Sequence, residues 1–116
     1  MKKFPRKYLL PFLAGTFFLV LSTGCARRAH LSASIERFEY SPSREYVEVY
    51  IQIANDGERA IDSYEIDYRV AFDSLVQDGE TRGLNLNPGE SRTEYAITYV
   101  GRGKKVSDVS VTNVKW

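Results

Sequence analysis

The chain has 116 residues, a net charge of +1, one cysteine and one histidine. That length suits one small domain and leaves no room for a second core. The near-neutral balance excludes a nucleic-acid footprint, the lone cysteine excludes an internal disulfide, and so few His and Cys exclude a zinc site.

Residues 1–24 have the parts of an export signal. Lys2, Lys3, Arg6 and Lys7 form a basic start without an acid, and Leu9 to Leu21 is uncharged and apolar. Ser22, Thr23 and Gly24 are small enough for a peptidase site. That order is the secretory pattern. A membrane span needs about 20 apolar residues, more than this run supplies. Pro11 would also bend a helix near its start.

Leu21-Ser22-Thr23-Gly24-Cys25 resembles the lipobox of bacterial lipoproteins. The resemblance covers residues 1–25. It implies a diacylglycerol on the Cys25 thiol, cleavage before Cys25 and acylation of the new N-terminus. One departure is Ser22 three places before the cysteine, where leucine is commonest. The chemistry of the anchor agrees with this reading. One acyl chain holds only marginally, at about 0.8 kcal/mol per buried methylene, so two or three chains make attachment effectively permanent. Ala26 stands where an aspartate often retains Gram-negative lipoproteins at the inner membrane, so the expected location is the cell membrane or the outer membrane.

Removing the four basic residues of the leader leaves 12 basic against 15 acidic residues, a net of −3. Residues 25–30 then form a lipidated cysteine with a short tether. Five extended residues reach about 17 Å, which keeps the domain near the bilayer. Arg27 and Arg28 would lie within a Debye length of the headgroups.

From residue 31 to 116 the chain reads as strands. Leu31, Ala33 and Ile35 alternate with polar residues, and the parity then shifts to Phe38 and Tyr40. A β-bulge near Glu36-Arg37 explains the shift. Ser41-Pro42-Ser43-Arg44 is a turn. Val47, Val49, Ile51 and Ile53 form an inward face, opposite Tyr46, Glu48, Tyr50 and Gln52. Asn55-Asp56-Gly57 ends that strand, with glycine available for positive φ. Between Ile61 and Phe72, Tyr64, Ile66, Tyr68, Val70 and Phe72 share one face, and Glu65, Asp67 and Arg69 share the other.

Asp78-Gly79 reads as a hairpin turn, and Leu84 and Leu86 mark a short strand. Asn87-Pro88-Gly89-Glu90 is a second clear turn. Thr93, Tyr95, Ile97 and Tyr99 alternate with Arg92, Glu94, Ala96 and Thr98. Gly101 to Lys105 is a flexible basic turn. Val106, Val109 and Val111 then shift parity to Val114 and Trp116, predicting a bulge near Thr112-Asn113.

The pattern gives about six to seven strands and no helix, hence an all-β, small antiparallel immunoglobulin-like sandwich over 31–116. The run Val47 to Gly57, then Ala60-Ile61, then Leu86 to Ser91 and the closing valines, resembles the FxLYD-type sandwich of bacterial envelope proteins. That resemblance implies an extracytoplasmic accessory or interaction module, and fold alone does not settle function.

Catalysis is not expected. His30 lies in the tether and Cys25 takes the lipid, so no Ser-His or Cys-His pair is available. Glu65, Asp67 and Asp62 could form a paired-carboxylate site, or simply a solvated strand face balanced by Arg69. Asn55, Asp56, Glu58 and Asp62 offer oxygens for calcium but miss the EF-hand spacing, and a charged turn is the plainer reading. No metal or cofactor is therefore expected. Tyr46 and Tyr50 suit recognition, although tyrosine also packs across strands. Arg102, Lys104 and Lys105 could meet an acidic partner or phosphates, or could only solubilise a hairpin tip at the end far from the anchor. The expected function is a membrane-anchored, non-catalytic interaction module of the cell envelope. Alternatives are a small lipoprotein subunit of a secretion or envelope-assembly complex, and a carbohydrate-binding or hydrolytic protein.

Overall fold

The computed structural model describes residues 27–116. Residues 1–26, which include the expected signal segment 1–24 and Cys25, lie outside the described residues. The strands are β1 (Leu31–Glu39), β2 (Tyr46–Asn55), β3 (Ile61–Phe72), β4 (Leu75–Leu86), β5 (Ser91–Tyr99) and β6 (Val106–Lys115). They form two three-stranded antiparallel sheets, ordered β1-β2-β5 and β4-β3-β6. The domain is thus an all-β sandwich with six strands. No helix of the described residues is long and apolar enough to cross a membrane.

The two central strands supply most of the core. Val47, Val49, Ile51 and Ile53 of β2 are buried, as are Tyr64, Ile66, Tyr68, Val70 and Phe72 of β3. Period-2 alternation puts each set on one face, and the two sets meet between the sheets. Both expected bulges are present. The β1–β2 register shifts between Ile35 and Arg37, and on β6 Val111 and Asn113 pair with neighbouring residues of β3, leaving Thr112 over.

The turn expected at Asp78-Gly79 is not a turn. Those residues lie within β4, paired with Arg69 and Tyr68 of β3. The hairpin closes instead at Asp73 and Ser74, with φ of 45° and 64° between the paired Phe72 and Leu75. Two successive left-handed residues give the twist that a two-residue hairpin needs. Gly79 is glycine for a different reason. A Cβ there would sit 2.5 Å from Cζ of Tyr68, whose ring lies over it. β4 is also longer than the short strand expected around Leu84 and Leu86. Asn85 is left-handed at φ 56°, and across it Leu84 faces solvent while Leu86 is buried.

Successive strands run up and down, so the loops segregate to two ends. One end holds residues 27–30, the 56–60 loop, the 87–90 turn and Trp116. The other holds the 40–45 loop, the 73–74 turn and the 100–105 loop. At the first end Asn55, fully buried, joins four segments. Its Nδ2 donates to the carbonyls of Arg59 (2.9 Å) and Leu86 (3.1 Å). Its Oδ1 accepts from the amides of Gly57 (3.0 Å) and His30 (3.4 Å).

Gly57 is not at positive φ, contrary to the sequence expectation. It is glycine because the backbone of Arg28 to His30 crosses it, and a Cβ would lie 2.8 Å from the Ala29 carbonyl carbon. Residues 28–30, expected to be part of a tether, are accordingly docked. Arg28 O accepts from the amides of Glu58 (2.6 Å) and Arg59 (3.2 Å), and His30 O accepts from Asp56 (2.9 Å).

Candidate functional site

The feature that stands out is the outer face of the β1-β2-β5 sheet. On β5 the alternation is used in the sense opposite to hydrophobic expectation. Tyr95, Ile97 and Tyr99 are exposed, at 51%, 40% and 65%, while Arg92, Glu94, Ala96 and Thr98 point inward. The cause lies on the opposite sheet. Tyr64 and Tyr68 of β3 bring buried hydroxyls across the core, and these need polar partners. The Tyr68 hydroxyl lies 2.6 Å from Thr98 Oγ1. The Tyr64 hydroxyl donates to Glu94 and accepts from Arg92 at 3.3 Å. Burial first, and the Glu94 carboxylate second, push the Tyr64 hydroxyl up to about 12. Polar β5 residues thus serve buried tyrosines, and the large apolar β5 residues are left on the surface.

Register with β2 completes the patch. Tyr46 pairs with Tyr99, Glu48 with Ile97, and Tyr50 with Tyr95. The Tyr46 and Tyr99 rings lie 5.9 Å apart at 69°, and the Tyr50 and Tyr95 rings 5.2 Å apart at 54°. Four rings and Ile97 therefore form one stripe, about 14 Å long from the strand rise. Arginines border it. The Arg37 guanidinium lies 3.8 Å from the Tyr50 ring centroid, and that of Arg44 lies 5.6 Å from the Tyr46 ring centroid. Glu48 ties the stripe together, accepting from Tyr95 Oη at 2.9 Å and from Arg44 at 3.1 Å. The Glu48 carboxylate is the main cause that pushes the Tyr95 hydroxyl up to about 12, so this tyrosine stays a neutral donor.

Of the residues singled out in the sequence, Tyr46 and Tyr50 fall in this stripe and are half-buried. Arg102 joins its outer end, where Arg44, Tyr46, Tyr99 and Arg102 help line a shallow depression of about 290 Å³. Its guanidinium is paired with Glu45 at 3.2 Å. Lys104 and Lys105 share the loop but not the stripe. That loop is braced rather than free. The Tyr40 hydroxyl donates to Gly101 O at 2.8 Å and accepts from the Lys104 amide at 2.9 Å, and Lys105 N donates to Asp73 at 3.0 Å. Tyr95, Ile97 and Tyr99 were missed by sequence reasoning. The signal that could have found them is the polar alternation Arg92, Glu94, Thr98 opposite two buried tyrosines.

The carboxylates lie on the other outer face. Glu65, Asp67 and Glu80 place one oxygen each within 4.8 Å of one another. Asp62 is not among them. Lys115 (3.2 Å) and Arg82 (3.3 Å) hold Glu65, and the Lys115 bond is the main cause that keeps its carboxyl low. Asp67 is raised, first by desolvation and then by its bond to Glu65. The three acids share an open strand face already supplied with cations. The oxygens considered for calcium are dispersed: Asn55 is spent on backbone groups, and Asp56 is bonded to the His30 ring. Cys25 lies outside the described residues.

Compared with protein-family models, curated proteins and solved structures, the chain finds no match.

Proposed function

We propose that this protein is a bacterial lipoprotein, held to the cell membrane or the outer membrane by lipid on Cys25. Its sandwich works as a non-catalytic docking module for a protein partner in the envelope. The leader, the small residues before Cys25 and the absence of any other cysteine support the anchor. The observation that carries the docking role is the outward turn of Tyr95, Ile97 and Tyr99 beside Tyr46 and Tyr50. Tyrosine and arginine dominate binding hot spots because they offer large rigid contact area with a polar tip.

The stripe also runs toward the end opposite residues 27–30, away from the anchor and open to a partner above the bilayer. A carbohydrate fits it less well, because the stripe offers no single flat platform on which a sugar could lie. Here both ring pairs are tilted steeply against each other. A partner belonging to a secretion or envelope-assembly complex is the special case in which the neighbour is a large membrane assembly.

The test is site-specific photo-cross-linking in native membranes, with a benzoyl-phenylalanine at position 97. One discrete adduct is expected. Tyr95→Ser with Tyr99→Ser should weaken its formation by at least about 30-fold, the effect of losing about 2 kcal/mol of hot-spot energy. An adduct that survives the double substitution would show that the stripe is not the docking surface. So would adducts formed only from the opposite sheet, for example at Ser110.

A further inference from the structure

We infer that the end of the sandwich beside the tether is itself a membrane-contact surface, with Trp116 and Leu84 seated at the headgroup level of the bilayer that carries the Cys25 lipid. The inference rests on the lipid-anchor reading.

The docked tether is the first ground. Arg28, Ala29 and His30 belong to the body of the domain, bonded to the 56–59 loop and crossing Gly57. In sequence, only Ala26 and Arg27 therefore separate this docked segment from Cys25, in place of five residues. Two residues span about 7 Å. A domain held by so short a leash cannot lift its near end clear of the headgroup layer, which takes up several ångströms on each side of the hydrocarbon.

The second ground is what that end exposes. Trp116 is 53% exposed and Leu84 63% exposed. Both line one open depression of about 590 Å³, together with Tyr64 and Lys115. Trp116 is fixed beside the tether: its indole N–H donates to Ala29 O at 3.2 Å, and its ring meets His30 edge-on at 5.6 Å. An exposed tryptophan and leucine are a cost in water. At a bilayer interface they are favoured, because the ring has an apolar body and one polar edge.

Charge plays a smaller part. Arg27, Arg28 and Arg59 are exposed at this end, but so are Glu58 and Asp62. The acids offset most of the arginine attraction to anionic lipid. The contact should therefore form on zwitterionic membranes and depend weakly on anionic lipid.

Trp116 is the only tryptophan, so its emission reports this contact alone. The lipidated protein would be purified from membranes, its Cys25 acylation checked by intact mass, and reconstituted into phosphatidylcholine vesicles with or without dibrominated acyl chains. Trp116 emission should fall by more than half on brominated lipid and shift to shorter wavelength than in a Cys25→Ser variant in solution. A Trp116→Phe/Tyr99→Trp variant, with its reporter at the opposite end, should be unquenched. Vesicle-bound, acylated protein with unquenched Trp116 overturns the membrane-contact surface and leaves the anchor standing. Quenching at both reporter positions overturns the end-on contact in favour of a domain lying flat. Protein that carries no acyl group and does not float with vesicles overturns the anchor reading, and the surface with it.

Discussion

Replacing Asn55 with alanine is expected to cost about 3–5 kcal/mol of unfolding free energy, because each buried group left unpaired costs about 1–3 kcal/mol. The side chain is fully buried and satisfies the carbonyls of Arg59 and Leu86 and the amides of Gly57 and His30. Only the Leu86 bond is deeply enclosed, and water can reach the other three groups in part, so the sum falls short of four full penalties. A domain of this size has on the order of 5–13 kcal/mol in total. The variant should therefore lose a large share of its stability, and urea melts followed by far-ultraviolet circular dichroism will measure it. Asn55→Asp should be at least as damaging, since it removes both donors and adds a buried charge. A loss below about 1 kcal/mol for alanine would mean that water replaces the amide without penalty. The same variant should loosen residues 28–30, because His30 N and Gly57 N lose their shared acceptor while the backbone bonds of Arg28 and His30 to the 56–59 loop remain.

Gly79→Ala is expected to cost about 2–3 kcal/mol, by overpacking. The sign is informative. At an ordinary strand position alanine is better than glycine by roughly 0.5–1 kcal/mol. Here the new Cβ would lie 2.6 Å from Tyr68 Oη and 2.8 Å from Thr98 Oγ1 as well as against the ring. Tyr68 cannot swing away. It is 1% exposed, with its hydroxyl held by Thr98. Tyr68→Phe should not relieve the clash, since the ring remains. Tyr68→Leu should, and in that background Gly79→Ala should cost less than about 1 kcal/mol, a coupling that a double-mutant cycle isolates. Equal costs in both backgrounds would show that the ring over Gly79 is not the cause.

The fold was largely legible because β2 and β3 carry long runs of period 2 and the bulges leave a parity shift behind. Ile35 to Phe38 and Val111 to Val114 show this directly. What local pattern could not show were contacts between residues far apart in the chain. Gly79 resembles a turn in sequence, and only the Tyr68 ring beside it explains a glycine within a strand. Gly57 likewise answers to the tether backbone rather than to its own φ.

The candidate site was half legible for the same reason. Tyr46 and Tyr50 sit opposite a run of four β-branched core residues, so their outward direction follows from β2 alone. On β5 the alternation defines two faces but does not say which is inside. Hydrophobicity favours Tyr95, Ile97 and Tyr99 as core. Two buried hydroxyls on β3 decide otherwise, drawing Glu94 and Thr98 inward. The polar need of one sheet thus set the apolar surface of the other.

Whether the sandwich is held by lipid on Cys25 can be read from intact mass and detergent partitioning. The native protein and a Cys25→Ser variant would be compared. The native chain should begin at an acylated Cys25 and enter the detergent phase, and the variant should leave the membrane. A native chain cleaved elsewhere and found in the aqueous phase would contradict the lipid anchor.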